Sequence, residues 1–322
     1  MPADSMHALV LGGTGLIGYH AVRELCRRGH RVSVLALDMP AEGLLPESVE
    51  VLLADLDECS DDEVRKLFEG CNAVVFALGK DDRVVPPRPA YEFFRKANVE
   101  PAERVVRLAR ECGADRAVLC SSYFAYFDRI WPDLELARHH PYIRVRREQA
   151  DAALAAAGDD VALTVLEIPY LFGTIPGREP LWGPLVRYAR SPLPLLSASG
   201  GTNAVAVQHV AEAIVGGLER RYHGPALVGD ENLSWNQLLE RLAAILGKPR
   251  RAHTVPDVLV RAGLTPLHWW HALQRLEGGL YLPEFASALT RGFYFDPAPY
   301  RSALGYGSGG LDDAIAETVG VL

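Results

Sequence analysis

Leu9-Val10-Leu11-Gly12-Gly13-Thr14-Gly15-Leu16-Ile17-Gly18 is the stretch from which the architecture of this chain is read. An apolar run fit for a buried strand breaks into a glycine-spaced turn. An amphipathic helix, Tyr19 to Arg28, follows with Ala21, Val22, Leu25 and Cys26 on one face. The glycines do separate jobs: Gly12 permits the tight turn, Gly15 lets the backbone approach a pyrophosphate, and Gly18 lets the helix lie close on the strand. The unpaired N–H groups at the helix start then face the phosphates. Gly29-His30 closes the helix before a second apolar run, Arg31 to Leu37. That setting, strand, turn, helix and strand in order, separates these glycines from a ligand-free turn.

Bulk composition narrows the class. At 322 residues, 49% hydrophobic and 23% charged, the chain has the make-up of a globular protein able to bury a full core. A net charge of −8 disfavours a nucleic-acid partner. Cys26, Cys59, Cys71, Cys112 and Cys120 are odd in number and form no C-x-x-C pair, so they read as small buried side chains in a reducing compartment. No basic region followed by an apolar stretch opens the chain, and no apolar run is long enough to span a bilayer. The expectation is a cytoplasmic protein with a small-molecule substrate and no membrane partner. The ten histidines make no metal-ligand spacing with Cys or carboxylates, so no metal is expected.

Strand and helix patterns alternate through the first half, which indicates a doubly wound parallel sheet with crossover helices. Further strands are expected at Val49 to Leu53, Ala73 to Leu78, Ala117 to Cys120 and Val161 to Ile168. Helices are expected from Ser60 to Phe68, capped by Ser60 with Glu63, from Ala90 to Glu111, bent by Pro101, and from Tyr142 to Ala157. An irregular aromatic stretch follows the Ala117 strand. Beyond Pro169 the composition shifts toward Pro, Gly, Trp and Ser, with helical patterns at His209 to Leu218 and Ser234 to Leu246 and a short strand at Ala226 to Val228. The division expected is a dinucleotide-binding domain over 1–170 and a smaller α/β substrate region over 171–322, with segments such as 203–220 returning to the first.

In these residues the chain resembles the short-chain dehydrogenase/reductase superfamily in its extended form, the epimerases, dehydratases and related reductases built on a Rossmann-type sheet. Gly12 to Gly18, with Thr14, Leu16 and Ile17 between the glycines, resembles the family's glycine loop. Asp55-Leu56 resembles its adenine-contacting acidic pair, and Ala77-Leu78-Gly79 stands at the strand end beside the cofactor ribose. Asn98 resembles the asparagine of the long helix, Ser121-Ser122 with Ala125-Tyr126 the S-S-x-x-V-Y pattern, and Tyr142 to Arg146 the Y-x-x-x-K pair. Glu167 to Gly173, which contains Pro169 and Leu171, resembles the R-P-x-x-V-Y-G segment. The resemblance implies NAD(P) as cofactor, Ser122, Tyr142 and Arg146 as the catalytic set, and long helices of the kind that pair in family homodimers.

The chemistry can be argued from the residues themselves. Tyr142 and Arg146 lie four apart on a predicted helix and share a face. A phenol exchanges protons poorly at neutral pH unless a neighbouring cation favours phenolate. Ser122, placed after a strand, is positioned to donate a hydrogen bond to a substrate oxygen. The family's lysine is Arg146 here, a larger planar cation that would hold a nicotinamide ribose differently. Tyr123-Phe124 stand where 4,6-dehydratases carry an Asp-Glu pair, which disfavours dehydration. With Phe172 and Trp182 they are expected to give the substrate pocket aromatic walls.

Cofactor choice rests on the end of the second strand, where Asp38 and no basic residue favours NAD, with NADP as the alternative. The expected reaction is oxidation, reduction or epimerisation at a secondary alcohol or ketone of a small or sugar-nucleotide-like molecule. A nucleotide-binding regulator without turnover and a non-redox lyase or isomerase are the competing readings. Leu264 to Leu273, with Trp269 and Trp270 adjacent, reads as a lid or a packed helix, because its polar face lacks the Lys and Arg of interfacial helices. A subunit contact or a membrane-surface touch is the alternative there.

Overall fold

The structure is a computed structural model that describes residues 5–321. Its strands are β1 His7–Leu11, β2 Arg31–Ala36, β3 Glu50–Leu53, β4 Ala73–Phe76, β5 Arg116–Ser122, β6 Ala162–Ile168, β7 Tyr170–Phe172, β8 Leu195–Ser197, β9 Gly201–Ala206, β10 Gly224–Leu227, β11 Glu231–Ser234 and β12 Ala252–Thr254. Seven of them form one sheet in the order β10-β6-β5-β4-β1-β2-β3. Every pairing in it is parallel. This is the Rossmann-type doubly wound arrangement. β4 and β5 are buried along their whole length, as strands covered by helices on both faces must be.

The chain order reverses between β1 and β4, so a crevice opens at their carboxyl ends, where such sheets bind ligands. Two smaller sheets, β11-β9-β7 and β12-β8, form the C-terminal α/β region over that end. The helix Val207–Glu219 packs against the first helix, Leu16–Arg27, and β10 extends the large sheet. Ala21, Val22 and Leu25 of the first helix lie fully buried with Val32, Val34 and Val210. Each buried valine or leucine there contributes about 1.5–3 kcal/mol.

Several local expectations hold in atomic detail. Ser60 and Glu63 form a reciprocal capping box, the Ser60 amide donating to Glu63 at 2.8 Å, and Ser234 with Gln237 forms a second. Others are corrected. The first helix starts at Leu16, inside the glycine loop, and β5 runs on through Ser122. The aromatic stretch after β5 is a helix, Phe124–Ile130, because Phe124 and Phe127 share a buried face.

The long helix is not bent at Pro101. Pro101 sits in the first turn of Glu100–Glu111, where its missing N–H is tolerated. The irregularity is a π turn at Arg95–Val99, closed by the Glu100 amide on the Arg95 carbonyl. Pro101 has no N–H to offer the Ala97 carbonyl, so the preceding turn widens. Cys112, expected to be buried, is exposed, and all five cysteines are free thiols.

Candidate active site

The glycine loop lies where β1 meets the crevice. Gly12 has φ +84°, and a Cβ there would sit 2.7 Å from the Ala77 carbonyl oxygen. A Cβ on Gly18 would fall 2.2 Å from the Gly12 oxygen, so the first turn of the helix packs on the loop itself. Gly15 differs. Within 4 Å its added Cβ would meet only the Gly12 oxygen, at 3.3 Å, leaving an open side. The helix carries no side-chain cap and no acid in its first turn, so its leading N–H groups are uncompensated. Leu16 and Ile17 supply that turn and Thr14 stands in the loop before it. This cradle suits a pyrophosphate.

Around it the expected cofactor residues divide into two groups. Ala77 donates its amide to the Leu11 carbonyl at 2.9 Å, holding the Ala77-Leu78-Gly79 segment beside the loop. Asp55 opens the turn after β3 and accepts from the Asp57 amide at 3.0 Å. Leu56, in contrast, buries its side chain among Phe68, Val74 and Val105, and its carbonyl accepts from Arg104 at 2.9 Å. Asp38 stands exposed just beyond the end of β2, between Leu37 and Met39, both exposed as well. Pro169 and Leu171 are buried at the end of β6 and in β7.

The expected catalytic residues Tyr142 and Arg146 lie on the helix Pro141–Ala157, in which Tyr142 is buried. The Arg146 guanidinium carbon lies 5.4 Å from the Tyr142 ring centre. That guanidinium donates to Gln149 at 2.7 Å and to the Asn98 amide oxygen at 3.4 Å. Asn98 sits in the π turn, its oxygen also accepting from the Lys80 amide at 3.1 Å. A Cβ on Gly79 would lie 2.3 Å from that same oxygen. Gly79, Asn98, Tyr142 and Arg146 are thus brought together, with Gln149 as a partner that spacing did not suggest. The Arg146 Nε is buried without a hydrogen-bond partner, an open donor inside the site. Ser122 ends β5, its hydroxyl accepting weakly from the Phe124 amide at 3.4 Å.

Burial pushes the Tyr142 phenol up to about 12; Arg146 pulls it down, and Asp82 and Asp81 push it further up. Asp82, in the loop after β4, was not singled out by any sequence pattern. Burial pushes its carboxyl up to about 6, with Asp81 adding to the rise and its own amide, Arg83 and Arg146 opposing it.

The aromatic walls are only partly where the sequence placed them. Tyr123 is buried, its hydroxyl bonded to Thr202 at 3.0 Å and its ring packed on Phe127 and Phe293. Phe172 is fully buried beneath β9 and the last helix. Phe124 reaches the site from below, its ring 6.3 Å from Tyr142. Tyr123 and Phe124 share a core cluster with Tyr142, Phe172 belongs to another, and Tyr123 and Phe172 are absent from the walls of the described cavities.

Trp182 does line a cavity, of about 590 Å³, stacked on Tyr170 with ring centres 4.3 Å apart. Trp235, Leu238, Val260, Leu264 and Leu289 stand on its wall as well. The one guanidinium on that wall among the described residues is Arg83, held by Asp81 and by the Leu181 carbonyl. Tyr170, Trp235 and Leu289 come from separate segments, and no spacing in the chain announces them.

Comparison with known proteins places this geometry. The NAD(P)H-binding family model matches residues 12–177. A ceramide reductase from Caulobacter vibrioides is 26% identical over 257 residues, 77% of this chain and 73% of its own length. The decarboxylating sterol-4-alpha-carboxylate 3-dehydrogenase of Homo sapiens is 27% identical over 121 residues, 38% of this chain and 30% of its own. A nucleoside-diphosphate-sugar epimerase from Pseudomonas aeruginosa has the same fold, with a TM-score of 0.70 at 16% identity over 98% of this chain and 96% of its own.

Proposed function

Because this chain belongs to the NAD(P)H-binding family, we propose that it is a nicotinamide-dependent reductase acting on the ketone of a bulky apolar molecule, or on the matching secondary alcohol in reverse. The observation that carries this reading is the apolar cavity of about 590 Å³ walled by Tyr170, Trp182, Trp235 and aliphatic side chains, reached by Arg83 from the loop whose Asp81 and Asp82 act on the Tyr142 phenol. Such a wall favours hydrocarbon over a sugar nucleotide, whose phosphates would find Arg83 alone, already engaged by Asp81. The similarity to a ceramide reductase and, over a shorter stretch, to a sterol dehydrogenase supports an apolar substrate.

The residues present fit the cofactor. Gly12, Thr14, Gly15, Leu16, Ile17 and Gly18 would hold the pyrophosphate. Asp55, the Leu56 backbone and Ala77-Leu78-Gly79 would flank the adenosine half, and Asp38 would favour NAD through the ribose hydroxyl. Asn98 and the open Nε of Arg146 would meet the nicotinamide side, with Pro169 and Leu171 behind it. When bound, the nicotinamide supplies or accepts a hydride.

The chain supplies the proton and the orientation. The Tyr142 phenol is protonated at neutral pH and is set to donate to a carbonyl oxygen as negative charge builds there. Ser122 donates a second hydrogen bond to that oxygen. Arg146 fixes Asn98 and Gln149 through its hydrogen bonds, and its charge keeps phenolate accessible for the return of the proton.

The test is turnover of reduced nicotinamide with apolar ketones and, separately, with sugar nucleotides. Oxidation of the cofactor by the ketones, lost in Tyr142→Phe with cofactor binding kept, is the expected result. Turnover of sugar nucleotides alone would overturn the substrate class, and full activity in Tyr142→Phe would overturn the acid–base role.

A further inference from the structure

The helix Asp257–Leu273, part of which reads in the sequence as a lid or packed helix, has no buried residue over its 17 positions. Two of them, Val260 and Leu264, line the apolar cavity. At 100° per residue the opposite arc collects Val258, Leu259, Pro266, Trp269, Trp270 and Leu273. These stand open to solvent, Leu273 at 79%, Val258 and Trp269 at 70% and Trp270 at 57% of full exposure. An ordinary surface helix turns its polar face outward; this one turns its apolar face outward and keeps His268, His271 and Arg261 off that arc.

The charge around the stripe is equally unusual. Residues 248–275 carry Lys248, Arg250, Arg251, Arg261 and Arg275 against the single carboxylate Asp257, within a chain of net charge −8. A cavity of about 430 Å³ opens beside the helix, with Arg88, Arg138, His139, Arg144, His268 and His271 on its wall. Glu277 also lines it, but takes the Ala90 amide at 2.7 Å, and Arg138 and Arg144 lean on Glu135 and Glu148. The cations that the sequence reading found lacking within Leu264–Leu273 are supplied by flanking residues and by the cavity beside them.

We infer that the outward arc of Asp257–Leu273 docks on an anionic lipid surface, Trp269, Trp270 and Leu273 entering the acyl boundary while the surrounding cations meet headgroup phosphates. Tryptophans and leucines on one arc with cations beside them are what an interfacial helix requires. The helix lies on the surface rather than crossing it: no helix among the described residues is long and apolar enough to span a membrane. The same helix walls the apolar cavity with its other face, so in the docked state it forms the partition between that cavity and the hydrocarbon from which an apolar substrate would come. That consequence rests on the proposed substrate class; the docking itself does not.

The experiment is flotation of the full chain with vesicles of phosphatidylcholine alone and of phosphatidylcholine containing phosphatidylglycerol, with tryptophan emission and light scattering in parallel. The account expects flotation with the anionic vesicles, a blue shift of emission, and a monomer-to-vesicle change that added salt weakens. Trp269→Ser with Trp270→Ser should cut binding by about tenfold or more, through the loss of both aromatic anchors. Lys248→Glu with Arg251→Glu should weaken binding to anionic vesicles without altering the tryptophans. Circular dichroism and nicotinamide binding report that either variant is folded. Wild type remaining in the aqueous phase with both vesicles would overturn the inference. So would a lipid-free dimer that the tryptophan variant dissociates, since the stripe would then be a contact between copies of this chain.

Discussion

The two ends of the crevice are built by different means. On the cofactor side the contact surface is backbone: the turn at Gly12, the open flank of Gly15 and the uncompensated N–H groups after it. On the proposed substrate side it is side chain: Tyr170, Trp182, Trp235, Val260 and Leu289, from segments far apart in the chain, share one wall. Backbone surfaces recognise phosphate, common to every nicotinamide cofactor, whereas side-chain walls discriminate substrates and change by substitution. The cofactor side should therefore fail abruptly when its geometry is broken, and the substrate side should respond by degrees.

The largest effect is expected where the two sides meet. Tyr142→Phe should lower kcat by about 10²–10⁴, the usual worth of a positioned acid, while the affinity for reduced cofactor stays within about twofold. Single-turnover kinetics beside a cofactor titration would separate the two. On the backbone side, Gly18→Ala forces a Cβ to within 2.2 Å of the Gly12 oxygen. The loop must shift, which should destabilise the protein by about 1–3 kcal/mol and weaken cofactor binding together with it. Thermal unfolding with and without cofactor would measure both, and a variant with unaltered binding would break the comparison.

On the substrate side, Trp182→Ala should raise KM for an apolar ketone by about tenfold, from the loss of one aromatic face, with a smaller change in kcat. The smallest expected effect is electrostatic. Asp82, ionised above about 6, pushes the Tyr142 phenol up. Removing its charge in Asp82→Asn should lower the phenol's pKa, because phenolate no longer faces a carboxylate. Reduction needs the protonated phenol, so the alkaline limb of its pH–rate profile should move to lower pH in this variant. A limb that stays in place would mean Asp82 does not act on Tyr142.

The same contrast explains what could be read from the chain. β1 and the glycine loop were legible because their requirement is local: an apolar run, then residues lacking Cβ at fixed steps. Helical periodicity puts Tyr142 and Arg146 on one face, as the helix Pro141–Ala157 has them, but it is the resemblance to the Y-x-x-x-K pair that singles them out. The π turn at Arg95–Val99 was read as a bend at Pro101, since the absent N–H acts on the carbonyl four residues earlier and displaces the irregularity upstream. Tyr123 and Phe172 were read as pocket walls, but aromatic type alone does not say which side of a core layer a ring will fill.

Asp82 and the cavity wall escaped for a further reason. A carboxylate in a loop looks solvated, and only the folded chain desolvates Asp82 and brings Arg146 within reach of its charge. The wall exists only after β7, β9 and β11 have gathered Tyr170 and Trp235 beside the helix Asp257–Leu273.

The most direct measurement of the central claim is transfer of label from reduced nicotinamide deuterated at its hydride position, with an apolar ketone and a sugar nucleotide offered together. Deuterium on the carbinol carbon of the apolar product, absent with Tyr142→Phe, is the predicted result. Deuterium only in the sugar nucleotide, or in neither with the cofactor bound, would contradict the account.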